Sequence, residues 1–262
     1  MLGCQEPLKS STATIDDDSV WFSVVMPTAG SILGFFLGFA AVPTMMNDRK
    51  VGKLTVDPVP YPVAFTTCFA WCFYGTVIGD PWPFVGNILP VLGNAFCVIT
   101  ALRLCDDPRT AAMTEWITIG GILLLLVLLL VCVSDFVIKD HTLRGAILGN
   151  TCICLCIVQF SSPCIEAVRA VRTRDARKIS LPLAVTGSLC SFFWSAYGLT
   201  AGLSAIWIPN VAGFALAGTV CIVKLCVGKL SGERLVSTLR TEVLEVTIPT
   251  QSVLVETRNN TF

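Results

Sequence analysis

The sequence predicts an all-α integral membrane protein, with seven transmembrane helices arranged as two parallel three-helix repeats joined by an inversion-linker helix (3+1+3). Three observations lead there. The 262 residues are 54% hydrophobic and only 14% charged, whereas a soluble chain is about a quarter charged. About seven apolar stretches recur, most of them roughly 20 residues long, enough to cross a bilayer as a helix. A five-residue pattern also occurs twice: Trp71-Cys72-Phe73-Tyr74-Gly75 returns as Trp194-Ser195-Ala196-Tyr197-Gly198. In a chain of this composition Trp-x-x-Tyr-Gly should arise by chance only about 0.005 times, so two copies indicate an internal duplication.

The elements follow in order. Residues 1–19 are polar, end in Asp16-Asp17-Asp18, and lack the basic start of a signal peptide. They read as an acidic extracytoplasmic tail. Apolar segments then run over 20–42, 60–79, 84–105, 115–138, 145–163, 181–201 and 204–227. The first three form one repeat, 20–105, and the last three a second, 143–228. Between them, 106–142 holds the fourth segment and its flanking loops. The centre of that segment, Leu123 to Leu130, contains nothing polar to line a path, as suits a linker. Residues 229–262 are polar and read as a flexible cytoplasmic tail.

Charge placement sets the orientation. Fifteen of the 18 Lys and Arg residues fall in alternate connections and the C-terminal region; only Lys9, Lys139 and Arg144 fall in the opposite set. Positive loops stay cytoplasmic, so the N-terminus is outside and the C-terminus inside, in keeping with an odd number of spans. One intervening helix returns the chain to the outside. Both copies therefore insert in the same direction, related by a pseudo-twofold axis along the membrane normal. The sequon at Asn259 falls on the cytoplasmic side and is discounted.

Some chemistries are disfavoured. Most of the thirteen cysteines lie in apolar stretches, where a thiol behaves as a small hydrophobe. Cys152-x-Cys154-x-Cys156 lacks zinc spacing. A chain with one histidine, His141, and no paired carboxylates offers little to an enzyme, a metal or a cofactor.

The duplicated motif is the candidate site. Twelve residues after each motif glycine stands an asparagine, Asn87 and Asn210. Aromatic faces cover C–H patches, and an amide both donates to and accepts from hydroxyls. Trp71, Trp194, Asn87 and Asn210 thus suit a polar, uncharged ligand. The competing reading, tryptophans as interfacial anchors, fits Trp21, Trp82, Trp116 and Trp207 at segment ends better than it fits this repeated pair. Tyr74 and Tyr197, one turn further out, read either as an outer gate or as packing. Gly86, Gly93, Gly213 and Gly218 are unremarkable among many small residues.

Further residues carry a resemblance. Pro43-Thr44 closes segment 1, Pro60-Tyr61-Pro62 opens segment 2, Ser161-Ser162-Pro163 closes segment 5, Pro182 opens segment 6, and Ile208-Pro209-Asn210-Val211-Ala212-Gly213 opens segment 7. With the duplicated motif, these make residues 25–228 resemble the SWEET (MtN3/saliva) family of sugar facilitators. The resemblance implies a bidirectional, uncoupled uniporter for mono- or disaccharides working by alternating access. Trp71, Asn87, Trp194 and Asn210 would hold the sugar, and Pro43, Pro60, Pro163 and Pro182 would act as hinges. The partners implied are a small-molecule sugar, the lipid bilayer and further copies of the chain, with no nucleic acid. The membrane implied is the plasma membrane, with an endomembrane as the alternative. No ionisable side chain stands in the middle of a segment, where coupled carriers usually place one, which favours uncoupled transport. A PQ-loop carrier of another solute and a seven-helix receptor are the rival readings. The first lacks its Pro-Gln dipeptides here, and the second does not explain the duplication.

The chain departs from the family in three places. Spacing puts Ala41 where a proline is usual, with Pro43 displaced by two residues. An ungapped alignment selects Pro90 rather than Asn87, although proline offers no donor. The family tyrosine gate pairs with an acid in the sixth connection, and Ala201-Gly202-Leu203-Ser204-Ala205 has none.

Overall fold

The computed structural model describes residues 20–134 and 136–228, which contain helices and connections and no strand. The tails expected at 1–19 and 229–262 lie outside the described residues. Helix α1 (Met26–Phe39) is preceded by a π turn, Trp21–Val25. A break at Ala40–Ala41 leads into α2 (Val42–Val51). The rest are α3 (Pro60–Ile78), α4 (Pro81–Leu104), α5 (Pro108–Leu128), α6 (His141–Thr173), α7 (Leu181–Thr200) and α8 (Ser204–Gly228). Helix α5 runs into a second π turn, Leu129–Val133.

Local chemistry marks the ends. Proline opens α3, α4 and α5, where its missing N–H leaves no bond unmade and its φ suits a helix. Asp80, Asp107 and Asp140 cap α4, α5 and α6 by accepting backbone N–H bonds from Trp82, Thr110 and Thr142. The Thr110 hydroxyl and backbone N–H hold the Asp107 carboxyl below the usual carboxylate range. Gly52 (φ 74°) and Gly79 (φ 73°) stop α2 and α3 in the left-handed conformation that favours glycine.

Two expected boundaries move. Segment 1 does not end in a loop at Pro43. Pro43 sits in the first turn of α2, which carries the basic residues Arg49 and Lys50 to its C-terminus, where the helix dipole favours them. Segment 5 does not close at Pro163. Helix α6 passes through it for ten more residues. Hydropathy marks the end of the apolar stretch, whereas the backbone continues as an amphipathic helix. Ala167 and Ala170 bury against Ile179, Val220 and Val227, while Arg172 stays exposed.

The helices form a ring. Helix α4 packs against both α1 and α3. Helix α8 likewise lies between α6 and α7, with Gly198 of α7 against the backbone of Trp207 and Gly213 against Phe160 of α6. Helix α1 then meets α7, and α3 meets α6. The circuit α1–α4–α3–α6–α8–α7 closes around a central space, and α5 lies outside it, mainly against α3. The first seam is built on glycine: a Cβ on Gly38 would lie 2.7 Å from Pro90, and one on Gly93 would overlap the Gly38 carbonyl. Small residues of this kind let membrane helices approach closely.

Among the described residues, six helices are long and apolar enough to cross a membrane, with α1 and α2 counted as one. Helix α7 is as long but less apolar, because Thr186, Ser188, Ser191 and Ser195 interrupt it. Helix α5 with its π turn is the most apolar span, and much of its leucine surface is exposed, as at Leu123, Leu126 and Leu130. Arg144 departs from its expected place as a loop charge. It is buried in the first turns of α6, its guanidinium donating to the Cys132 carbonyl at 3.4 Å and contacting the His141 ring.

Candidate functional site

The ring encloses a cavity of about 580 Å³, and its walls repeat. Ala64, Thr67, Cys68 and Trp71 of α3 line it, and so do Gly187, Cys190, Ser191 and Trp194 of α7, each 123 residues further on. Gly86, Asn87, Pro90 and Asn94 of α4 are matched at the same separation by Pro209, Asn210, Gly213 and Ala217 of α8. Gly34, Leu37 and Gly38 of α1 correspond, at 122 residues, to Cys156, Gln159 and Phe160 of α6. Trp71, Asn87, Trp194 and Asn210, far apart in sequence, are therefore brought to one space.

Backbone register bears on the choice between Asn87 and Pro90. A Cβ on Gly75 would lie 2.9 Å from the Phe84 nitrogen, and one on Gly198 would lie 2.8 Å from the Trp207 nitrogen. The second helix of each pair thus starts in the same register against the first, with Asn87 and Asn210 three residues past that contact. Pro90 lines the cavity one turn further along.

The two amides make the same bond. Asn87 Nδ2 donates to the Pro83 carbonyl at 2.9 Å, and Asn210 Nδ2 to the Ile206 carbonyl at 2.8 Å. An amide has two N–H groups and a carbonyl, so each keeps one donor and its acceptor for a ligand. Both tryptophans are buried and set edge-on to the tyrosine one turn away: Trp71–Tyr74 centroids are 5.5 Å apart at 86°, Trp194–Tyr197 centroids 5.9 Å at 78°. The setting of Trp194 depends on glycine. Its indole lies where a Cβ on Gly30 would come within 2.8 Å and one on Gly86 within 2.5 Å. Gly86, unremarkable in sequence, makes room for the ring.

Tyr74 and Tyr197 do not line the cavity. They are buried with both tryptophans, Ile206 and Ala205 in the apolar cluster that closes one end of it. There the Tyr197 hydroxyl donates to Asp80 Oδ2 at 2.5 Å, while Asp80 Oδ1 accepts from the Trp82 backbone. The acid missing from the connection after α7 is thus supplied by the connection before α4, across the ring. The position 123 residues after Asp80 is Leu203, so this bond has no counterpart on the other side. Trp82, expected at the membrane interface, packs against the same cluster; no pattern within its own segment marks that contact.

The opposite end of the cavity is lined by the exposed residues Gln159, Lys178 and Leu183. Pro60 and Pro163 line this end, while Pro43 and Pro182 are exposed and do not line the cavity. Glu166 and Lys178 are the charged residues of the wall, and Glu166 pairs with Arg169 at 3.2 Å. Tryptophan and asparagine therefore face a space whose own level carries no formal charge.

Comparisons with known proteins agree with this architecture. Residues 146–227 match the MtN3/saliva family model, described as "Sugar efflux transporter for intercellular exchange". The bidirectional sugar transporter SWEET11 of Arabidopsis thaliana is 28% identical over 212 residues, covering 76% of this chain and 68% of that protein. The sugar transporter SWEET1 of Danio rerio is 26% identical over 179 residues, covering 65% and 78%. A solved eukaryotic SWEET transporter shares the fold, with a TM-score of 0.70 at 19% identity, over 78% of this chain and 96% of that one. The chain is homologous to SWEET proteins and is an integral membrane protein with a SWEET-like all-α fold.

Proposed function

We propose that this chain is a SWEET-family uniporter that moves a mono- or disaccharide across a membrane, in either direction, by alternating access. One observation carries the reading: a single cavity unites the duplicated tryptophans and asparagines at a level without charge. Trp71 and Trp194 cover the C–H faces of the sugar. The free amide N–H and carbonyl of Asn87 and Asn210 bond its hydroxyls. The absence of an ionisable group beside them supports movement down a gradient without a coupled ion.

Residues 20–105 and 143–228 form the two parallel repeats, and 106–142, with α5, is the inversion linker. The separation of matched wall residues, 122 or 123 throughout, supports this division. The end latched by Tyr197 and Asp80 faces outside, the end at Lys178 faces the cytoplasm, and the conformation described is inward-facing. In the return stroke the latch opens as the far end closes. Pro163, inside α6 at that far end, absorbs the bending, because a proline within a helix removes a backbone hydrogen bond and weakens it locally; Pro60, at the same end, joins the hinge set at the start of α3. Pro43 and Pro182 complete the hinge set from the outer surface of the ring. The plasma membrane and a homo-oligomer are the setting the family suggests.

The test is uptake of glucose, fructose and sucrose in a hexose-uptake-deficient cell, repeated as counterflow in proteoliposomes. Trp194→Ala and Asn210→Ala should each cut uptake by about 100-fold, as expected when hydrogen bonds and buried contact to a bound substrate are removed, with insertion retained. Wild-type rates in both variants would overturn the site, and no counterflow of any sugar by the wild type would overturn the function.

A further inference from the structure

Two further amides of the cavity wall have no amide at the matched position of the other repeat: Gln159, at the open end, and Asn94. Asn94 is 8% exposed and lines the same wall of α4 as Asn87. Its Nδ2 donates to the Pro90 carbonyl at 2.9 Å and stands 3.9 Å from Cys68 Sγ. Its amide oxygen accepts no hydrogen bond from a described residue. That oxygen is also not among the partnerless side-chain atoms sealed from solvent, so it opens on the cavity. A buried carbonyl left this way is costly unless a ligand or water completes it.

Position gives the unused acceptor a meaning. Asn87 and Asn94 are seven residues apart, two turns and roughly 10 Å along one face of the helix. Asn94 lies on the Lys178 side of the tryptophans, at the level of Thr67 and Cys68. The Thr67 hydroxyl donates to the Val63 carbonyl at 2.8 Å, which leaves its oxygen able to accept. Across the cavity the positions matched to Asn94 and Thr67 are Ala217 and Cys190, so the amide of this step exists on one wall only, while Ser191, matched to Cys68, places a hydroxyl on the other. Two sugar rings joined through a glycosidic oxygen are long enough to touch both levels, and one ring is not.

We propose that Asn94, with Thr67, forms a second-ring subsite that makes the carrier favour disaccharides over single hexoses. This rests on the sugar-uniporter reading above. One ring lies between Trp71 and Trp194 against Asn87 and Asn210. The other extends toward the open end, where Asn94 bonds its hydroxyls. The cavity volume is in the range that buries a ligand of this size.

The test is counterflow of sucrose and of glucose in proteoliposomes, with the wild type, Asn94→Ala and the double variant Asn94→Ala/Ala217→Asn. Wild type should move both sugars and prefer sucrose. Asn94→Ala should lower the sucrose-to-glucose ratio of Vmax/KM about tenfold, as expected for lost recognition of hydroxyls. Returning the amide on the opposite wall should restore much of that ratio, which a purely structural role for Asn94 would not allow. An unchanged ratio in Asn94→Ala, a ratio left unrestored by the double variant, or a wild type that moves glucose and not sucrose would each overturn the subsite while leaving the uniporter reading intact. A wild type that moves neither sugar would overturn both.

Discussion

Single side chains set the character of the site. Trp71, Trp194, Asn87 and Asn210 were legible in the sequence because they are duplicated, and duplication carries information without any coordinate. Asn94 was not, because its matched residue is Ala217 and repetition could not single it out. The bond from Tyr197 to Asp80 was hidden for a different reason. Its partners are 117 residues apart, on opposite sides of the ring, and only the way the helices pack puts the carboxylate under the hydroxyl. A hydrogen bond to a charged group contributes about 1.5–3 kcal/mol, enough to bias a two-state gate by roughly tenfold or more. Tyr197→Phe and Asp80→Asn should each change sugar uptake by about tenfold, and the double variant should do no more than either single one, as for partners in one interaction. Asparagine retains the helix cap at position 80, so α4 still starts there. Additive effects on uptake would show that hydroxyl and carboxylate act independently.

At the scale of elements, the spans were legible and their ends were not. Hydropathy locates the apolar stretch, but α2 and the last third of α6 extend beyond it. Helix α7 shows the converse, since the hydroxyls and glycine that lower its apolarity include Ser191 and Gly187 on the cavity wall. The linker also makes a specific contact. A Cβ on Gly121 of α5 would overlap the Thr66 hydroxyl, which donates to the Pro62 carbonyl at 2.9 Å. The adjacent Gly120 meets nothing within 4 Å. Overpacking of this kind costs about 1–3 kcal/mol. Gly121→Val should therefore lower the unfolding temperature of the detergent-solubilised protein by about 2–10 °C, and Gly120→Val should leave it nearly unchanged. Equal shifts in the two variants would mean that α5 is held by lipid-like contact alone.

For the whole molecule, a closed ring of six helices around a space with an uncharged middle makes a claim about energetics. With no carboxylate beside the tryptophans and asparagines, the sugar movement proposed above would have no proton to couple to. An imposed pH gradient should leave the initial uptake rate in proteoliposomes within about twofold, because a coupled carrier would need an ionisable group at that depth. Accumulation of sugar against its own gradient, driven by pH, would contradict this. The sequence by itself determined the membrane class, the number of apolar stretches, the duplication and the four side chains it repeats. All of these are properties of composition and spacing along the chain. Only the tertiary structure decided which end of the cavity is latched, that Asp80 supplies the acid for Tyr197, that Gly30 and Gly86 make room for Trp194, and that Asn94 lines the cavity. Those facts depend on contacts between helices, and the pseudo-symmetry visible in the sequence is silent about the positions where the two halves differ.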